Sequence, residues 1–175
     1  MTSQEIDMSV FGGYSMDKEV FLYLREHLPT GKTILELGSG RASNELSKLW
    51  NVISIEHNED FVDSFKTVDY IFAPIKDGWY DRDRLTLGLD KSYDCIIIDG
   101  PPADIGRTGF MDNLDLFDLK SLIIFDDINR PSERTMFEDF CQQFNVSVFD
   151  EFTTQGTWHL GPYTKQFAAV DLRNE

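Results

Sequence analysis

The sequence predicts an α/β fold, a doubly wound seven-stranded sheet that is mostly parallel with an antiparallel closing strand. Short β-rich runs alternate with segments of helical period, as a parallel sheet covered by helices on both faces requires. The order then changes, and two last strands follow each other across a Gly- and Thr-rich turn, as in a closing hairpin. Length sets the third limit. With 175 residues, 41% of them hydrophobic, the chain has apolar surface for one core and too little for two ordinary domains. Residues 1–175 therefore read as one domain, with residues 1–14 as an N-terminal extension.

The elements follow in order. Residues 16–28 carry Val20, Phe21, Leu24 and Leu28 on one stripe, and Pro29 closes that helix. Residues 33–37 are the first strand. After a glycine turn, Ala42, Leu46, Leu49 and Trp50 fall at helical spacing, and residues 52–56 form a second strand ending at Glu56. A short helix over 59–65, a third strand over 70–75 and a fourth over 93–99 come next. A helix over 111–119 leads to the fifth strand, 122–127, and residues 132–144 place Met136, Phe137, Phe140 and Phe144 on one helical face. Residues 146–152 and 166–172 are the closing strands, and residues 79–89 resist assignment.

Charge narrows the partners. Sixteen Lys and Arg stand against 31 Asp and Glu, a net charge of −15 spread along the chain, which repels phosphate backbones and anionic lipid. A small-molecule partner is expected, with no nucleic acid and no membrane. The first residues lack a basic start and an apolar core, and no apolar run approaches the roughly 18 residues of a membrane span, so a cytoplasmic protein is expected. Cys95 and Cys141 have no metal spacing and read as small buried hydrophobes, so no disulfide is expected.

Acids stand where the strands end. Ligands of an open α/β sheet bind beyond the carboxyl ends of its strands, and strands one, two, four and five end on Glu36, Glu56, Asp99 and the pair Asp126 and Asp127. The first strand runs into the stretch ILELGSGRAS. A dinucleotide fingerprint would need a third small residue where Ser43 follows Ala42, and Glu36, two residues before Gly38, would repel a diphosphate. The same carboxylate suits a cationic amine.

This pattern resembles the class I S-adenosylmethionine-dependent methyltransferases, which have a Rossmann-like fold. They carry an acid followed by G-x-G at the end of strand one, and a second acid after strand two, where Glu56 lies 20 residues beyond Glu36. YDCIIIDGPP and LIIFDD are similar to the family's fourth- and fifth-strand motifs, so the likeness spans residues 12–172. The resemblance implies that S-adenosylmethionine is the cofactor, cradled by Glu36, Gly38, Ser39 and Gly40. Glu56 would take the ribose hydroxyls, His57 would edge the pocket, and Asp99 would also face the cofactor. Adenine contacts would come from Ala73, Pro74, Ile75 and Asp77, with Trp79 and Tyr80 as lids. Ala42 departs from the third glycine of many members.

Asp99, Asp126 and Asp127 would repel one another unless an ion or protons compensate, and hard oxygen ligands suit Mg²⁺ or a similar divalent cation. The arrangement resembles the metal-dependent O-methyltransferases of catechols and antibiotic sugars, in which such acids hold an ion that binds the acceptor hydroxyl. Methyl transfer to a small-molecule hydroxyl is the activity implied. Where the catechol type has a catalytic lysine this chain has Pro102, so the base is sought at Asp99 or His159. Arg107 and Arg130 are expected either to bind a substrate anion or to balance the acids. In the competing arrangement Asp127 caps the helix that begins near Ser132 and Asp126 pairs with Arg130, leaving no metal. A catalytically silent binding subunit and a dehydrogenase are the other readings.

Overall fold

The computed structural model describes residues 5–13, 15–89, 92–158 and 161–173. Helix α1 (Lys18–His27) buries Val20, Phe21, Tyr23 and Leu24 and stops before Pro29. Strand β1 (Thr33–Leu37) leads through the glycine turn into α2 (Arg41–Leu46), then β2 (Asn51–Glu56) and β3 (Val68–Phe72). A small hairpin, β4 (Ile75–Lys76) and β5 (Trp79–Tyr80), precedes α3 (Arg82–Gly88). Strand β6 (Cys95–Ile98), the single turn α4 (Gly109–Asp112), β7 (Leu122–Phe125), α5 (Pro131–Gln143) and the hairpin of β8 (Asp150–Trp158) with β9 (Gly161–Asp171) complete the order.

Seven strands form one sheet in the order β3-β2-β1-β6-β7-β9-β8. All run parallel except β9, which is antiparallel to both neighbours. Strands β6 and β7 are apolar at every position because both faces are covered. Leu35, Leu37, Ile96, Ile98, Ile123 and Phe125 join one core layer. Ile34, Cys95, Ile97, Leu122 and Ile124 join the other. The chain turns back between β1 and β6, which opens a crevice at their carboxyl ends.

Several expected boundaries move, each for a local reason. The third strand stops at Phe72 because Pro74 has no N–H for the ladder. Residues 75–80 instead fold back through Asp77 and Gly78, both at positive φ, as a two-residue hairpin turn requires. The expected helix over 59–65 is one 3-10 turn, Glu59–Phe61. The one over 111–119 splits into α4 and a 3-10 turn, Leu114–Leu116, as the Asn113 side chain returns to the Gly109 carbonyl. Within the unassigned stretch, Asp81 caps α3 by accepting from the N–H groups of Asp83 and Arg84. The apolar run 146–149 lies outside the sheet, and Phe152 opposite Phe167 sets the hairpin register of the polar edge strand β8. Cys95 and Cys141 are free. Among the described residues no helix is long and apolar enough to cross a membrane.

Candidate active site

The carboxyl ends of β1, β2, β6 and β7 open on one cavity of about 580 Å³, within the range of small-molecule sites. Of the site residues named from the sequence, Glu36, Gly38, Ser39, Gly40, Glu56, His57, Asp99 and Asp127 line it. Two backbone turns form its floor. Gly38 has φ +92°, and a Cβ there would stand 3.1 Å from the Gly100 Cα. A Cβ on Gly100 would come within 2.8 Å of the Gly38 Cα. The turns after β1 and β6 meet this closely because neither residue has a side chain.

Glu36 is 2% exposed. Its Oε2 accepts hydrogen bonds from Ser43 Oγ at 2.6 Å and Ser54 Oγ at 2.9 Å. Burial pushes its carboxyl up to about 7, against the two serine hydroxyls, with Glu56 adding repulsion. Glu56 organises the neighbouring loop, its Oε2 accepting from the Ser39 N–H at 3.0 Å and its Oε1 from the N–H groups of His57 and Asn58 at 2.8 and 2.7 Å. His57 Nδ1 lies 2.9 Å from Glu56 Oε1 without hydrogen-bond alignment.

Three expectations do not survive. Asp77 is exposed at the tip of the β4–β5 turn and lines a different cavity, with Lys76 and Gly78. Trp79 and Tyr80 are core residues, 4% and 2% exposed, and neither is a lid. Ala73 is buried in the same core layer. Phe61, which the sequence reading passed over, lines the cavity mouth and is 55% exposed. His159 lies outside the described residues.

Asp99, Asp126 and Asp127 come together, with one oxygen of each within 4.8 Å of the others. They also converge on a cation of the chain itself. Arg107, 3% exposed, places Nη2 3.0 Å from Asp99 Oδ1 and 2.9 Å from Asp127 Oδ2, while Nη1 donates to the Asp126 carbonyl at 2.9 Å. Arg130 pairs with Asp127 Oδ2 at 2.8 Å, so the competing expectation of an Asp126 partner is also corrected. Asp127 does not cap α5, whose N-cap residue is Arg130, followed by Pro131. Burial raises Asp99 to about 6, with Arg107 opposing and Asp127 adding to it. Burial, then Asp99 and Asp127, holds Asp126 well above the usual carboxylate range.

Sequence reasoning also missed Lys165. It lines the cavity, donates to the Ser15 carbonyl at 3.0 Å, and stands 3.8 Å from Asp127 Oδ1 and 3.9 Å from Asp17 Oδ1. Burial works against its ammonium, and Asp126, Asp127, Asp99 and Asp17 outweigh burial, raising its pKa. Asp17 also accepts hydrogen bonds from Thr154 and Tyr163, tying the start of α1 to the β8–β9 hairpin. A signal existed: Lys165 falls in alternating phase with Phe167 and Ala169, which face the core. As built, Arg107 already bridges Asp99 and Asp127, which weighs against a divalent ion between them. Arg107 donates to Asp127 Oδ2, Arg130 pairs with the same atom and Lys165 stands near Oδ1, while Asp126 Oδ2 is buried without a partner among the described residues.

No family model and no curated protein matches the sequence. Solved structures do. The precorrin-6Y C5,15-methyltransferase from Geobacter metallireducens GS-15 aligns with TM-score 0.64 and 16% identity, over 95% of this chain and 96% of that one. An O-methyltransferase from Bacillus cereus, solved in complex with SAH, aligns with TM-score 0.57 and 17% identity over 93% and 86%. The O-methyltransferase TomG from Streptomyces achromogenes, involved in tomaymycin synthesis and solved with SAM, aligns with TM-score 0.55 and 17% identity over 88% and 78%. The chain has the fold of class I methyltransferases.

Proposed function

We propose that this chain transfers a methyl group from S-adenosylmethionine to a hydroxyl of a small molecule. The observation that carries the reading is the placement of Glu36, the Gly38–Gly40 turn and Glu56 around one cavity at the carboxyl ends of the strands, on a fold shared with methyltransferases. The glycines at positions 38 and 100 let the two turns of the floor pack directly against each other, leaving the backbone of the Gly38–Gly40 turn at the cavity wall for close approach of the cofactor. Glu36 would hold the cofactor's ammonium and Glu56 its ribose hydroxyls, while Phe61 offers an apolar face at the mouth.

When bound, S-adenosylmethionine supplies an electrophilic methyl on sulfur. The remaining work belongs to the chain. Asp99, raised to about 6 and edging the cavity, is placed to take the acceptor proton near neutral pH. Lys165 donates toward the acceptor oxygen and favours its deprotonated form. The acidic surface supports a small-molecule acceptor over nucleic acid, and the two free cysteines agree with a cytoplasmic setting. Mg²⁺ assistance is the second reading, favoured by the three converging carboxylates, and Arg107 weighs against it.

Titration calorimetry with S-adenosylhomocysteine tests the cofactor, and its failure to bind the wild type would sink the proposal. Incubation of hydroxylated metabolites with methyl-labelled cofactor tests the acceptor: label on oxygen is expected, and label found only on carbon would overturn the choice of atom.

A further inference from the structure

The antiparallel course of β9 has a chemical consequence at the rim. Phe125, the last residue of β7, pairs with Ala168, so Lys165 lies just beyond the end of β7, where the parallel strands deliver their acids. There the residue is 8% exposed, and its ammonium faces Asp127 and Asp17 at ion-pair distances. An ammonium has three N–H donors, and among the described residues the Ser15 carbonyl is the one acceptor within hydrogen-bond distance. The others are available at the cavity wall. Arg107 performs the complementary task, bridging Asp99 on the β6 side to Asp127 on the β7 side through one nitrogen.

We propose that Arg107 and Lys165 replace the divalent ion that the resemblance implies, the guanidinium joining the acids and the ammonium meeting the acceptor oxygen. The role of Lys165 rests on the methyl-transfer reading, whereas the displacement of the ion does not. Two positive groups fixed on the fold would do what an ion does in a metal-dependent site: cancel the repulsion of the carboxylates and place positive charge beside a developing oxyanion. Arg130 adds a third positive group at Asp127, and Lys165 is shared between Asp127 and Asp17.

The test uses Mn²⁺ and the full chain. Free Mn²⁺ followed by electron paramagnetic resonance at up to about millimolar concentration should be unaffected by the wild type, and its melting temperature should not move. Arg107→Met should gain saturable Mn²⁺ binding, abolished by Asp99→Asn in the same background. Should Arg107→Met fail to fold, Lys165→Met carries the same measurement. Tight Mn²⁺ binding by the wild type overturns the proposal, and so does a folded variant that gains none. On the acceptor found by screening, Lys165→Met should lower kcat about a hundredfold with a smaller change in KM, Lys165→Arg should recover part of it, and EDTA should change nothing. Full turnover in Lys165→Met, or loss of turnover in EDTA, refutes the catalytic role. Absent S-adenosylhomocysteine binding would remove the methyl-transfer reading while leaving the Mn²⁺ result to stand.

Discussion

Replacing Glu36 by Gln should stabilise the protein at alkaline pH and weaken its cofactor binding. The side chain is buried at the cavity wall and Oε2 accepts from Ser43 and Ser54, contacts that the Gln carbonyl can keep. Its folded-state pKa of about 7 exceeds the reference value of 4.5, so between those two values the folded protein binds more protons than the unfolded chain. Stability therefore falls as pH rises through that window, and the full cost is present above about pH 7. At about 1.4 kcal/mol per pH unit, the interval from 4.5 to about 7 corresponds to about 3 kcal/mol. For a chain of this size that is a rise in Tm of about 6–12 °C for Glu36→Gln at pH 8, vanishing near pH 4.5. Differential scanning fluorimetry across pH measures it, with S-adenosylhomocysteine calorimetry alongside. The wild type should bind more tightly at pH 8 than at pH 6, because the cationic ammonium selects the ionised carboxylate, and the variant should show a flat profile. A Tm difference that does not change with pH, or one of the opposite sign at pH 8, would show that Glu36 is charged at no cost and refute the reasoning.

Glu56→Ala should lose two charge-assisted hydrogen bonds to ribose, each worth about 1.5–3 kcal/mol, and weaken S-adenosylhomocysteine by at least about a hundredfold in calorimetry; unchanged affinity in a folded variant removes Glu56 from the site. Gly38→Ala places a Cβ at φ +92° against the Gly100 backbone and should cost about 1–3 kcal/mol in urea unfolding, so a neutral result would mean that the floor is not closed as described. Phe140→Ala, at 0% exposure against Phe125 and Phe144, should cost about 3–5 kcal/mol by the same measurement while leaving affinity for S-adenosylhomocysteine intact; a loss under 1 kcal/mol would contradict the packing.

How much of this the sequence decided follows from the range of its signals. Ile34, Leu35, Cys95, Ile96, Ile97, Ile98 and Leu122–Phe125 read as strands because a strand covered on both faces must be apolar at every position, and an acid directly after such a run must lie at the rim. That is why Glu36, Glu56, Asp99 and Asp127 were legible. The β4–β5 hairpin was not, since four residues in two short strands carry too little periodicity, and it takes Asp77 out to solvent while it draws Trp79 and Tyr80 inward. Lys165 depended on the tertiary structure most of all, and so did the choice between the two roles expected of Arg107. Lys165 reaches the acids only because β9 runs antiparallel beside β7, which brings the first part of that strand to the end where the others finish. Arg107 reaches them only because the loop after β6 folds back over Asp99 and Asp127. The acids were determined by local pattern, and Arg107 and Arg130 were legible beside them as charges that could balance them; that Arg107 joins Asp99 to Asp127, and that Lys165 reaches the same rim, follow from loop closure and sheet pairing.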